Sequence, residues 1–104
     1  MTKFLLIYRA DMAKAAEMAA QMTPESAEEM NKAWMAWGAK VGSALVDFGN
    51  PTMPTAFAED QTIGGYSILE AESADAAEAL LDGHPHIAMG GTIDIYEIQP
   101  TPGM

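Results

Sequence analysis

Both histidines of the chain fall in one nine-residue stretch, Gly83-His84-Pro85-His86-Ile87-Ala88-Met89-Gly90-Gly91. Two imidazoles two residues apart allow two kinds of chemistry. One ring can act as a general acid or base, because imidazole titrates near neutral pH and a neighbouring carboxylate can orient it. On an extended segment both rings would also project to one side and could share a metal with a third donor such as Asp47 or Asp94. Two histidines are a thin ligand set and Pro85 sits between them, so no metal is expected. The structural alternative is a connector. His84 then caps the last carbonyls of a preceding helix and His86 lies in the turn into the next strand, which Pro85 suits because proline often follows a helix end.

Other residues could complete a site. Asp47, in Leu45-Val46-Asp47-Phe48-Gly49, is a candidate catalytic carboxylate if the segment is a strand, or simply a solvent-facing acid. Arg9 is the one strong anion fork in the chain. It could clamp a substrate carboxylate or enolate, or pair with one of the 15 acids. Tyr66, like Tyr8 and Tyr96, offers an apolar body with a hydroxyl tip, suited to a pocket, a core or a dimer contact. Trp34 and Trp37 lie one turn apart and are candidates for ligand stacking as well as core. No Ser-His-Asp set, Gly-x-Ser-x-Gly elbow or calcium-binding loop is present. Gly64-Gly65 and Gly90-Gly91 each precede a strand, which is the wrong context for a phosphate loop. With no cysteine, disulfides, thiol nucleophiles and thiolate metal sites are excluded. No redox cofactor is signalled, and none is expected.

These residues must be placed by secondary structure. Lys3 to Tyr8 is a short apolar run and predicts a first strand. Asp11 to Gln21 is rich in alanine and methionine and reads as a short helix or an ordered loop, with Met12, Ala15, Ala16, Ala19 and Met22 on one stripe. Thr23-Pro24-Glu25 is a helix start: a capping hydroxyl, a proline for the first position and an acid at the positive end of the dipole. Ala27, Met30, Trp34, Trp37 and Val41 then recur at spacings of three and four, which predicts an amphipathic helix of about five turns. Leu45 to Gly49 reads as a second strand, stopped by Pro51 and Pro54. Thr55 to Gln61 reads as a polar loop or an edge strand. Gly64 to Ala71 predicts a third strand, and Ser73 caps a helix through Leu81 that Gly83 ends. Thr92 to Gln99, with alternating Ile93 and Ile95, predicts the fourth strand.

The order β-α-β-β-α-β is that of an α+β, ferredoxin-like fold, a four-stranded antiparallel sheet with the helices on one face. The second face of such a sheet also carries apolar residues here. Burial against an identical sheet predicts a homodimer, sheet to sheet or edge to edge.

At 104 residues the chain suits a single domain, 1–104, able to bury its own core. The formal charge of −10 excludes nucleic acid, whose affinity rests on Lys and Arg neutralising phosphates, and disfavours an anionic membrane. It fits a soluble acidic protein, or one whose field steers a basic partner. The N-terminal apolar run is only four or five residues long, too short for a signal peptide or a membrane span, so a cytoplasmic location is expected.

The stretch IGGYSILEAESADAAEALLDGHPHIAMGGTIDIYEIQP, residues 63–100, is similar to the C-terminal half of the YCII-related family, which includes the DGPF-domain proteins. KFLLIYR and TPESAEEMNKAWMAWGAKVGSALVDFGNP resemble the family's first half, so the likeness covers nearly the whole chain. The resemblance implies a dimeric α+β barrel. One branch of the family carries a histidine near the start of the long helix, paired with an aspartate in a proposed catalytic dyad. Here that helix start, Thr23 to Glu29, has no histidine, and the Asp-Pro after the second helix corresponds to His84-Pro85. The nearest match to the Asp-Gly-Pro-Phe signature is Pro54-Thr55-Ala56-Phe57.

Two functional classes follow. The first is a small-molecule enzyme or binder that does acid/base work on an aromatic or enolisable compound, in a pocket near the sheet end lined by Arg9, Asp47, Tyr66, His84 and His86. The second is a non-catalytic acidic dimer that binds another protein. A closed cavity holding His84 within reach of an acid favours the first. Histidines in bulk water and no cavity of about 300 Å³ favour the second.

Overall fold

In the computed structural model, which describes residues 1–100 and 102, the N-terminal run forms strand β1 (Thr2–Arg9) at the centre of the sheet. Its inward residues Phe4, Leu6 and Tyr8 are buried in alternation with half-buried Leu5 and Ile7, the period-2 pattern of a strand with one covered face. Helix α1 (Met12–Gln21) follows, so Asp11 to Gln21 is a helix rather than a loop. Asp11 starts it by accepting the amides of Ala13 at 2.9 Å and Lys14 at 3.4 Å. Every α1 residue whose side chain is described is exposed, and the side chain of Met12 lies outside the described residues.

Helix α2 (Pro24–Val41) begins as its sequence predicts. Thr23 accepts the Ser26 amide at 3.1 Å while the Ser26 hydroxyl accepts the Thr23 amide at 2.9 Å, a reciprocal cap, and Pro24 and Glu25 open the first turn. Its buried stripe is Trp37 and Val41, with Trp34 half-buried beside them. A tight turn, Gly42–Ala44, leads into the three-residue strand β2 (Leu45–Asp47). The segment 55–61 is loop, not edge strand; upstream of it Pro51 makes an isolated bridge to Gly65. Strand β3 (Ile63–Ala71) alternates as β1 does, with Gly65, Ser67, Leu69 and Ala71 inward.

Helix α3 (Ala74–Ala79) is capped by Ser73, and its C-terminal turn closes earlier than the Leu81 expected. Gly83, at φ 74°, carries the reversal that an L side chain resists. The connector then winds into a one-turn helix, α4 (Pro85–Ala88), before strand β4 (Thr92–Glu97).

The sheet order is β2-β3-β1-β4, antiparallel throughout. This is the ferredoxin-like α+β arrangement. The core lies between the sheet and α2, α3 and α4, where Leu6, Leu69 and Trp37 are almost fully buried. The register puts Leu5, Ile7 and Ile68 on the opposite face with Tyr96, which is exposed. Among the described residues no helix is long and apolar enough to cross a membrane.

Candidate functional site

A cavity of about 640 Å³ opens where β1 and β3 end against α2 and the 49–52 loop. Trp34 and Met35 wall it from α2, Tyr8 from β1, Phe48 and Pro51 from the loop side, and His86 from α4. Gly49 lets the loop cross β3 at close range. Its φ is 81°, and a Cβ there would collide with the Tyr66 carbonyl. Asp47 shapes the same crossing by accepting the Gly49 amide at 2.8 Å.

Behind the wall runs a directed chain of hydrogen bonds. The backbone amide of His86 donates to Nδ1 of His84 at 3.0 Å, so that nitrogen bears no proton. The proton of neutral His84 therefore sits on Nε2, which donates to the Tyr8 hydroxyl at 3.2 Å. Tyr8 donates to Ser67 Oγ at 2.6 Å, and Ser67 donates to the Phe48 carbonyl at 2.6 Å. Each proton points the same way and each bond polarises the next. Burial pushes the Tyr8 hydroxyl above its ordinary 10, with the Ser67 bond pulling the other way, so Tyr8 stays a neutral phenol. Burial, and secondarily the nearby His86, lowers His84 from 6.5 to about 4. His84 is 1 % exposed, its ring 4.3 Å from that of Trp37 and 4.7 Å from that of Trp34.

His86 is the half-buried partner of the pair. Its Nε2 lies 2.8 Å from the Arg9 carbonyl and 3.1 Å from the Thr92 carbonyl. Carbonyls only accept, so Nε2 carries the proton and the lone pair is on Nδ1. Among the described residues Nδ1 has no hydrogen-bond partner. The ring rests on Gly91, where a Cβ would fall 2.5 Å from Cε1.

The sequence candidates divide accordingly. Trp34, Tyr66 and His86 line the cavity. His84 lies behind it, bonded to a tyrosine rather than to an acid. Its backbone amide, not its ring, closes the turn that follows α3, donating to the Leu81 carbonyl 2.9 Å away. Trp37 is core and donates its indole N–H to the Leu80 carbonyl at 2.9 Å. Asp47 is an exposed turn-former outside the cavity. Arg9 faces a different groove, ion-paired with Asp60 and Asp94 and 3.1 Å from the Thr62 hydroxyl. The His-x-His segment is a helical turn rather than extended. Among the described residues no three His, Asp or Glu side chains gather as a metal site, and Asp94 is held by Arg9.

Ser67 and Gly91 are not marked as site residues by the sequence, and Tyr8 is marked there only as one of three tyrosines suited to a pocket, a core or a dimer contact. A signal for Ser67 existed: it is the one hydroxyl among the inward positions Gly65, Leu69 and Ala71.

Fold and cavity together define a ferredoxin-like α+β protein with an aromatic pocket at the sheet end. The family model for the YCII-related domain matches residues 3–102, and the chain belongs to that family. Among solved structures it is similar to 5-chloro-2-hydroxyhydroquinone dehydrochlorinase (TftG) from Burkholderia phenoliruptrix AC1100, in complex with 2,5-dihydroxybenzoquinone. The TM-score is 0.61 at 17 % identity, over 93 % of each chain. It is also similar to At3g17210 from Arabidopsis thaliana, with a TM-score of 0.51 at 14 % identity, over 100 % of this chain and 99 % of that one. At these identities the likeness is one of fold. None of the curated proteins compared with the chain matches it.

Proposed function

We propose that the chain is a small-molecule enzyme or binder in which His86 handles a proton on an aromatic or enolisable ring held in the 640 Å³ cavity. One observation carries this reading: both carbonyls at Nε2 fix the tautomer of His86 and leave Nδ1 as its basic nitrogen, on a ring that lines the cavity. A hydroxyl of the ligand gives its proton to Nδ1. The imidazolium that forms is stabilised at its other nitrogen by the Arg9 and Thr92 carbonyls, and it faces the oxyanion it has created. Trp34, Phe48 and Tyr8 supply the apolar surround for a flat ring. The dehydrochlorinase with the same fold acts on such a ring, which supports the class of ligand.

The working unit is a homodimer. Val46, Tyr96 and Ile98 are exposed, and Leu5, Ile7 and Ile68 share the uncovered face of a body only 20 Å thick. A second copy is the simplest cover for it. The second reading, an acidic partner-binding protein, is favoured by an open groove beside β4 lined by Asp75, Glu78, Asp82 and Asp94.

Titration with 2-hydroxyhydroquinone under argon, followed by tryptophan fluorescence and calorimetry, tests the first reading. Saturable binding that weakens at least about tenfold in His86→Ala is expected. No binding, or binding indifferent to His86, sinks it.

A further inference from the structure

We infer that the cavity selects uncharged hydroxylated rings and rejects the same rings when they carry a carboxylate; this deepens, and rests on, the small-molecule reading of the cavity. The chain has 15 acids and 5 bases, yet none of the residues lining the cavity is Asp, Glu, Lys or Arg. Its polar side chains belong to His86, Tyr8, Tyr66, Asn31, Asn50 and Thr52, beside backbone groups. The single arginine lies outside, its guanidinium already held by Asp60, Asp94 and Thr62. Lys32 and Lys40 are spent on Glu28 and Asp82.

A carboxylate entering this space would give up its water and meet no cation. It would also meet lone pairs. Neutral His86 has committed its one N–H to the Arg9 and Thr92 carbonyls and presents an acceptor. Tyr8 has committed its O–H to Ser67. An acceptor repels a carboxylate and welcomes a ring hydroxyl, which donates. The net charge of −10 adds a field of the same sign at longer range. Trp34, Phe48 and Tyr8 meanwhile offer the ring edges and faces that an aromatic ligand stacks on.

Two probes differing only in the carboxylate make the test: 1,4-dihydroxybenzene and 2,5-dihydroxybenzoate, titrated at pH 8. The first is expected to bind and the second to bind about a hundredfold more weakly or not at all. Thr52→Arg places a cation at the exposed rim of the same wall. It is expected to raise 2,5-dihydroxybenzoate affinity at least about tenfold and so to narrow its gap to 1,4-dihydroxybenzene. Equal binding of the two probes by the native protein overturns the inference and leaves the small-molecule reading standing. Binding of neither probe, together with none of 2-hydroxyhydroquinone, removes that reading and the inference with it.

Discussion

Nδ1 of His84 accepts the backbone amide of His86 at 3.0 Å, and this one bond assigns different work to two imidazoles that look equivalent in the sequence. It fixes the proton of His84 on Nε2 and starts the turn that carries His86 to the cavity. His84 is thereby a positioning residue, and His86 is the ring with a free lone pair.

Ser67→Ala removes the link between Tyr8 and the Phe48 carbonyl and leaves a buried O–H without its acceptor. A loss of about 1–3 kcal/mol in unfolding free energy is expected, read by urea denaturation. A change within about 0.5 kcal/mol would show that the directed chain contributes nothing to the fold.

The depressed His84 imidazole makes stability depend on pH. Its value is about 4 in the folded chain against 6.5 ordinarily, so between these limits the unfolded chain binds a proton that the folded chain refuses. The contribution of neutral His84 is complete above about pH 6.5 and is lost as pH falls toward 4. His84→Gln cannot titrate. The fall in Tm across that window should be steeper in the native protein than in the variant; parallel curves would exclude His84 as the cause.

Gly91→Ala drives a methyl into the His86 ring, 2.5 Å from Cε1 and 2.7 Å from Cδ2. The ring must turn away from the Arg9 and Thr92 carbonyls. Ring binding measured by calorimetry should weaken at least about tenfold, while overpacking costs stability about 1–3 kcal/mol. Undiminished affinity would mean that His86 does not hold the ligand.

Arg9→Ala deletes the guanidinium but keeps the backbone carbonyl on which His86 rests. Its ion pairs are partly exposed, so only a small loss of stability is expected, smaller still in high salt. Affinity for uncharged rings should not change. A tenfold loss would return Arg9 to the site as an anion clamp.

Ile7→Asp puts a charge in the middle of the uncovered sheet face, beside Tyr66 and Asp94 in register. Sedimentation equilibrium should give twice 11.1 kDa for the native chain and 11.1 kDa for the variant. A native chain that sediments as one copy contradicts the dimer.

Local signals carried most of the fold. Thr23-Pro24 and the run from Ala27 to Val41 describe α2 because capping and periodicity act within a few residues. Ser73 and Gly83 bracket the α3 region for the same reason. Helix α4 was illegible: four residues are too few for a period, and its cap is an imidazole rather than a hydroxyl. Of the site, the sequence pointed to the His84–Gly91 stretch but not to the division of labour within it. That division depends on Tyr8 and Ser67, which meet diagonally only once β1 and β3 take the register Tyr8↔Gly65 and Leu6↔Ser67. Arg9 pairs with acids, one of the two roles its sequence allows, but counting acids does not tell which of them, Asp60 of the loop and Asp94 of β4 here, the fold delivers.

The three side-chain links of the donor chain span 76, 59 and 19 residues. No fragment of the polypeptide contains enough of them to hold a ring, and each closure waits on loop entropy already spent by the sheet. The pocket therefore exists only when β1, β3, α4 and the loop after β2 are assembled together, so that ligand capture reports on the integrity of the whole domain.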